Sequence, residues 1–359
     1  MDKQTIRVKK VDKPKEKPNP NELEFGRIFT DHMFVMDYNE ENGWHDPRIV
    51  PYEPISIDPS AIVLHYGQTV FEGLKAYMSK DGQAQLFRPE QNFKRLNRSN
   101  ARLCIPPIDE SFALHALKQL IALEKDWIPS APGTSLYIRP FIIGTEPFLG
   151  VAPAKTYQFY IILSPVGAYY EAGINPVKIA VEDKYVRAVV GGTGEAKTGG
   201  NYAASLIAQE KIDEEGFAQV LWLDGVEKKY IEEVGSMNVF FKINGEVVTP
   251  KLAGSILAGI TRKSVIQLLD HWDIPFSERK IMIDELYEAY QNGQLEEAFG
   301  TGTAAVISPI GQLSWQGKQM IINNEKTGPV AKKLYDTITS IQNGSIDDPF
   351  DWITVVHDD

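Results

Sequence analysis

The chain has 359 residues, more than one hydrophobic core usually organises, so two domains are expected. Hydrophobic residues make up 43% and charged residues 24%, and a net charge of -11 argues against a nucleic-acid footprint while leaving room for a local site that binds a small anion. A single cysteine, Cys104, excludes an intrachain disulfide and suits a reducing compartment.

No apolar run reaches the length of a membrane span and no apolar signal segment opens the chain, so the expected location is the cytoplasm. The six histidines are scattered without ligand-like spacing, and no metal site is expected.

Residues 1–20 carry seven Lys or Arg and three Pro with little to bury, which reads as a flexible arm. From Phe25 the string FGRIFTDHMFVMDY alternates like a strand, and Asn42-Gly43 then offers a turn. Residues 62–71 continue as strand and loop. The step Phe71-Glu72-Gly73 leads into a hairpin turning at Asp81-Gly82. Residues 89–103 form an amphipathic helix with Phe93 and Leu96 on its apolar side and Lys94, Arg95, Arg98 and Arg102 interleaved. A second helix covers 112–127. The β-rich runs SLYIRPFIIG and YQFYIILSPVGAYY follow, with Arg139 as a charge in an apolar strand that needs a partner or a ligand.

The aromatic, glycine-containing stretch 167–177 reads as an interdomain loop, dividing a small domain at 21–166 from a larger one at 178–359. The second half opens on VKIAVE and VRAVV as strands, then helix at 202–212, then two strand pairs turning at Asp224-Gly225 and Asn244-Gly245. Further helices are expected over 255–272, opening near Gly259-Ile260-Thr261, over 283–291 and over 330–341. Strands and helices mix without regular alternation, which indicates α+β or irregular α/β domains.

The stretch with the most chemistry in it is GGTGEAKTGGNYAASL at 191–206, where Lys197 is flanked by glycines and small residues. Such a lysine forms Schiff bases when its amine is desolvated or placed near other cations. The same string imitates a nucleotide-binding P-loop, with VLWLD at 220–224 as a candidate magnesium-binding run. Ala196 occupies the position where that pattern requires glycine, Gly199-Gly200 follow where its helix should run, and Asp224-Gly225 is simpler as hairpin chemistry. A pyridine-aldehyde cofactor instead needs a carboxylate for the ring nitrogen, a phenol for the ring oxygen, a phosphate cup and an apolar pocket. Glu233 at the end of YIEEV, Tyr202 five residues after the lysine, the helix start at Ile260-Thr261, the turn Gly300-Thr301-Gly302-Thr303 and Arg95 are the candidates.

The strings FGRIFTDHM, HYGQTVFEGLKAY, LFRPEQNFKRLNRSNARLCIP, GTSLYIRPFIIGTEPFLGV, GGTGEAKTGGNYAASL, EEVGSMNVFF and FGTGTAAVISP together resemble the bacterial branched-chain amino-acid aminotransferases, which are fold-type IV pyridoxal-phosphate enzymes. The resemblance spans nearly all of residues 25–359. It implies a small α/β domain, a larger pseudo-barrel domain, a homodimer, and the transamination of leucine, isoleucine and valine with 2-oxoglutarate. D-amino-acid aminotransferase and aminodeoxychorismate lyase share that fold as alternatives.

By the same resemblance Lys197 binds pyridoxal 5'-phosphate covalently and carries the proton, Glu233 pairs with the pyridine nitrogen, and Tyr202 meets the ring oxygen. Arg95, Ile260, Thr261 and Thr303 hold the phosphate, while Ser236, Thr303 and Ala304 receive the substrate carboxylate. Phe29, Tyr66, Phe71, Tyr137 and Tyr169 are implied as pocket walls, Arg139 as the group for the second carboxylate of glutamate, and Leu149 and Val151 as contributions from a neighbouring subunit. Ala305-Val306-Ile307-Ser308 stands where animal members carry Cys-x-x-Cys, so thiol control through that pair is not expected.

Overall fold

The computed structural model describes residues 5–167 and 174–357, and in it the chain divides into two units. The first consists of Met1–Tyr169, Ala196–Gly199 and Ser340–Asp359; the second of Tyr170–Glu195 and Gly200–Thr339. Two segments therefore differ from the expected division at 167–177. The last twenty residues return to the first unit, where strand Ile353–Val356 pairs antiparallel with Ala84–Phe87, and the lysine tetrapeptide belongs to it as well.

The first unit is built on a nine-stranded sheet in the order Arg7–Val8, Gly43–Pro51, His32–Asn39, Thr156–Val166, Ser135–Gly144, Leu74–Met78, Ala84–Phe87, Ile353–Val356, with Thr69–Phe71 also pairing on Ser135–Gly144. Strand Ser135–Gly144 sets the logic of the sheet. Leu136, Ile138 and Ile142 point into the core, while Tyr137, Arg139 and Phe141 alternate onto the half-buried face. Helices Pro89–Arg102 and Glu110–Leu123 cover the core side through Phe93, Leu96, Leu117 and Leu120. Proline suits the first turn of the former helix, since an amide there has no intrahelical partner.

The second unit's sheet closes on itself. Strands Ile231–Val234, Gln219–Leu223, Val177–Glu182, Val306–Trp315, Leu295–Gly302 and Met237–Ile243 pair in turn, and the last pairs again with the first. The expected pseudo-barrel is therefore present, filled by Leu221, Val234, Val239, Phe241 and Leu313. Strands Val177–Glu182 and Gln219–Leu223 run parallel. A parallel pair needs a long crossover, and residues 183–218, which contain Lys197, supply it.

Several local expectations change. Residues 62–66 form a short helix, Ile62–Tyr66, ahead of strand Thr69–Phe71. The strand after Phe25 begins only at His32. VRAVV is not a strand, and Val189 and Val190 are exposed; valine's preference for strands reflects packing that this loop does not provide. The helix expected over 202–212 splits into Gly199–Ala203 and Leu206–Glu214. The N-terminal segment is extended but pinned rather than flexible: Ile6 is buried, Arg7–Val8 pairs parallel with Gly43–Pro51, and the Lys9 amide donates to the Ile49 carbonyl at 2.9 Å. Among the described residues no helix is long and apolar enough to cross a membrane.

Candidate active site

In the first unit, three contacts fix the backbone around Lys197. Its N–H donates to Ser99 Oγ at 2.9 Å, its carbonyl accepts from the Phe71 amide at 3.0 Å, and Thr198 Oγ1 donates to the Thr69 carbonyl at 2.7 Å. These contacts hold the main chain at the lysine in place. The half-buried amine lies 4.8 Å from the Phe71 ring centroid.

Helical spacing explains why one element serves both the lysine and its surroundings. Arg95 and Ser99 stand four residues apart on the buried face of Pro89–Arg102, while Lys94 and Arg98 point to solvent. Arg95 makes two parallel hydrogen bonds to Glu72, Nε to Oε1 at 2.7 Å and Nη2 to Oε2 at 2.8 Å, and Asn92 Nδ2 adds a third at 2.8 Å. Glu72 is fully buried. Burial alone would push its carboxyl up, but the charges of Arg95 and Lys197 and the hydrogen bonds of Arg95 and Asn92 outweigh it, so it sits below the ordinary carboxylate value.

Phe71 pairs across strands with Phe141, and Lys75 with Tyr137, so all four share the sheet face that carries Arg139. The Arg139 guanidinium lies 4.7 Å from the Phe71 ring centroid and 5.3 Å from that of Tyr137, and Nη2 donates to the Tyr137 hydroxyl at 3.0 Å. Its Nε is buried and has no hydrogen-bond partner among the described residues. Gly73 is required here, because a Cβ on it would come within 2.2 Å of the Tyr137 hydroxyl. Lys75, which the sequence did not single out, is buried, and that burial pulls its amine down to about 8. Phe29 stacks on Tyr52 with centroids 4.9 Å apart and planes 6° from parallel. Phe25 meets Tyr137 edge-on at 4.9 Å.

Tyr66 is exposed at the end of its short helix and donates its hydroxyl hydrogen to the Leu149 carbonyl. Leu149 and Val151 are 60% and 85% exposed, an apolar pair without cover in a single chain. Tyr169 lies outside the described residues.

In the second unit, Glu233 is buried on strand Ile231–Val234. Its Oε2 lies 2.9 Å from Arg187 Nε, and its Oε1 accepts from the Leu257 amide at 2.9 Å. Arg187 was not anticipated, since nothing in VRAVV marks it as the counter-ion of a carboxylate 46 positions later. Asn238, opposite Glu233 in the ladder, donates to the Leu257 carbonyl at 2.9 Å and so fixes the loop that leads to helix Ile260–His271. Gly259 caps that helix and must lack a side chain, because a Cβ would come within 2.0 Å of Asn238 Oδ1. Neither a capping side chain nor an acidic residue occupies the first turn, so the amides at Ile260 and at buried Thr261 begin a helix suited to an anion.

Thr303 and Ala304 form the turn between strands Leu295–Gly302 and Val306–Trp315. Asn238 pairs with Thr301, so exposed Ser236 and half-buried Thr303 lie at neighbouring strand ends. Val306 closes the turn at φ 61°, a left-handed conformation strained for a β-branched residue. Tyr202 is half-buried in the short helix Gly199–Ala203. Next to it the Asn201 side chain clasps Thr193 twice, donating to the Thr193 carbonyl at 2.8 Å and accepting from Oγ1 at 2.7 Å. Asp224 takes amide hydrogens from Val226, Glu227, Lys229 and Tyr230, which draw its carboxyl down to about 2. It is a turn cap, and the nucleotide-binding reading loses its magnesium ligand.

Known proteins match the chain over most of its length. Residues 69–313 fit the family Amino-transferase class IV. The chain is 68% identical over 356 residues to branched-chain-amino-acid aminotransferase 2 of Bacillus subtilis, covering 99% of this chain and 98% of that one. Among solved structures it resembles the branched-chain aminotransferase from the thermophilic archaeon Thermoproteus uzoniensis with norvaline, at a TM-score of 0.76 and 26% identity over 91% of this chain and 100% of the other. A T.th. branched-chain amino acid aminotransferase with pyridoxamine 5'-phosphate also gives a TM-score of 0.76, at 27% identity over 90% of this chain and 98% of the other. The chain belongs to the branched-chain-amino-acid aminotransferases, within class IV.

Proposed function

We propose that the protein uses pyridoxal 5'-phosphate to transfer the amino group of leucine, isoleucine or valine reversibly to 2-oxoglutarate, as a cytoplasmic homodimer working by ping-pong kinetics. The observation that carries this reading is the clamped backbone of Lys197, which fixes the point from which its side chain starts. The donor set suits the cofactor: an uncapped helix start for a phosphate, and a carboxylate ion-paired with arginine for a ring N–H. When bound, the cofactor supplies an electron sink for the substrate Cα.

The chain's own residues do the rest. Lys197 Nζ would hold the cofactor and would move the proton at the substrate Cα. Arg187 and the Leu257 amide fix the Glu233 carboxylate, which would accept the pyridine N–H, and Tyr202 would donate to the ring oxygen. Ile260, Thr261, Thr303 and Arg95 hold the phosphate. Ser236, Thr303 and Ala304 receive the substrate carboxylate. Phe29, Tyr66, Phe71, Tyr137 and Tyr169 wall the side-chain pocket, with Leu149 and Val151 of the partner subunit closing it; their exposure here is consistent with that cover.

Borohydride treatment of the yellow holoenzyme is expected to fix the cofactor on the peptide containing Lys197. Lys75 is the informative competitor, because burial draws its amine down to about 8 and so leaves part of it unprotonated near neutral pH. Label on Lys75, or a colourless protein that ignores pyridoxal phosphate, would overturn the assignment.

Arg139 gives a second test. Its buried Nε without a partner is suited to a carboxylate, while its flat faces against Phe71 and Tyr137 present an apolar surface to an aliphatic chain. Arg139→Gln is expected to raise KM for glutamate about ten-fold and KM for leucine about two-fold or less. Equal effects on both substrates would make the arginine structural.

A further inference from the structure

The basic N-terminal segment is absorbed by none of the roles above, yet it is held to the first unit at specific points. The Val11 amide donates to His32 Nε2 at 2.9 Å, and the Lys15 amide to Asp31 Oδ1 at 2.8 Å. The Lys17 ammonium meets Asp31 Oδ2 at 3.3 Å and lies 4.1 Å from the Trp127 ring centroid. Asp31 is itself set by the Trp127 indole N–H at 2.9 Å. The backbone of Lys15 therefore has a fixed place.

From that place its side chain reaches the loop that carries Phe29. Lys15 Nζ donates to the carbonyls of Phe29 at 3.2 Å and Thr30 at 2.9 Å, and it lies 5.1 Å from the centroid of the Tyr52 ring, on which Phe29 stacks. Residues 21–30 belong to no strand or helix, and the sheet ladder begins only at His32. Phe29 thus has no ladder of its own to orient it. One ammonium gathers two carbonyls and one ring face at that point.

We infer that Lys15, presented by the pinned N-terminal segment, is a positioning residue that holds the Phe29–Tyr52 stack and so sets the aliphatic side-chain pocket. This rests on the reading of Phe29 as a pocket wall. Lys15 acts through Phe29 and not by touching substrate or cofactor. The chemistry asks for a cationic multiple donor of about this length, so arginine should substitute and methionine should not.

The test compares Lys15→Met, Lys15→Arg, Lys10→Met and Phe29→Ala in the full-length holoenzyme. Measured are KM and kcat for leucine and for glutamate, cofactor affinity from the visible spectrum, and the melting temperature. Lys15→Met is expected to raise KM for leucine about five-fold with kcat and cofactor affinity nearly unchanged, Lys15→Arg to restore it within about two-fold, and Lys10→Met to behave as wild type. If Phe29→Ala changes the KM for leucine while Lys15→Met does not, the positioning role is overturned and the pocket assignment stands. If Phe29→Ala leaves that KM unchanged, the pocket assignment falls and the inference with it. A Lys15→Met protein that lowers kcat and melting temperature together, without the split in KM, would show an ordinary structural tether and also overturn it.

Discussion

Lys197→Ala is expected to lower kcat by about 10⁴-fold, since it removes both the covalent attachment and the group that carries the proton. The same change should leave the fold almost untouched. Alanine retains the amide and carbonyl that Ser99 and Phe71 engage, and Arg95 and Asn92 still hold Glu72 when the charge of the lysine is lost. Thermal unfolding of the cofactor-free variant should therefore lie within about 1 kcal/mol of the wild type. Glu233, the start of helix Ile260–His271 and Arg95 are all retained, so the variant should still bind pyridoxal phosphate reversibly, with a spectrum that borohydride no longer converts into a covalent adduct. Activity within ten-fold of wild type would remove Lys197 from the reaction.

Features set by neighbours in sequence were legible before the structure. The helix expected over 89–103 forms as Pro89–Arg102, and the turns at Asp81-Gly82 and Asn244-Gly245 join paired strands. The two-residue hairpin expected at Asp224-Gly225 does not form: residues 224–230 join strands Gln219–Leu223 and Ile231–Val234, Gly225 is not at positive φ, and Asp224 instead caps the longer turn through its side chain. The glycines around Lys197 read less well. A Cβ on Gly194 would come within 2.2 Å of the Ser255 carbonyl, whereas one on Gly200 would meet nothing within 4 Å. Close approach therefore explains one side of the lysine and not the other.

What the sequence hid are partners distant along the chain. Arg95 could be placed on a helix face by periodicity, but Glu72, which meets it there, lies on a segment whose only signal was an acidic residue between Phe71 and Gly73. Arg187 sits in a valine-rich run that reads as strand and instead forms a loop, so the side chain could not be placed by strand alternation. The N-terminal residues read as an arm from their charge. Composition reports what a segment can bury, whereas Lys15 and Lys17 are held by hydrogen bonds and ring faces that it does not encode.

Glu72→Gln is expected to destabilise the cofactor-free protein by about 3–5 kcal/mol in urea unfolding, because it leaves the Arg95 guanidinium buried without its counter-charge. The double variant Glu72→Met with Arg95→Met should lose less than Glu72→Gln alone, since no charge is then stranded; a larger loss would mean that the pair acts chiefly through packing. The pH dependence gives an independent check. Burial opposes ionisation of Glu72, but Arg95 and Lys197 reverse that and hold its folded value below the ordinary 4.5. A carboxylate depressed on folding adds stability that is fully present above its unfolded value and is lost as pH falls through the folded one. Wild-type stability should therefore fall more steeply below about pH 4.5 than that of Glu72→Gln, which has no proton to take up at that position. Parallel acid limbs in the two proteins would show that Glu72 is not held ionised by the pair, and the hydrogen bonds from Arg95 and Asn92 would then have to be those of a neutral acid.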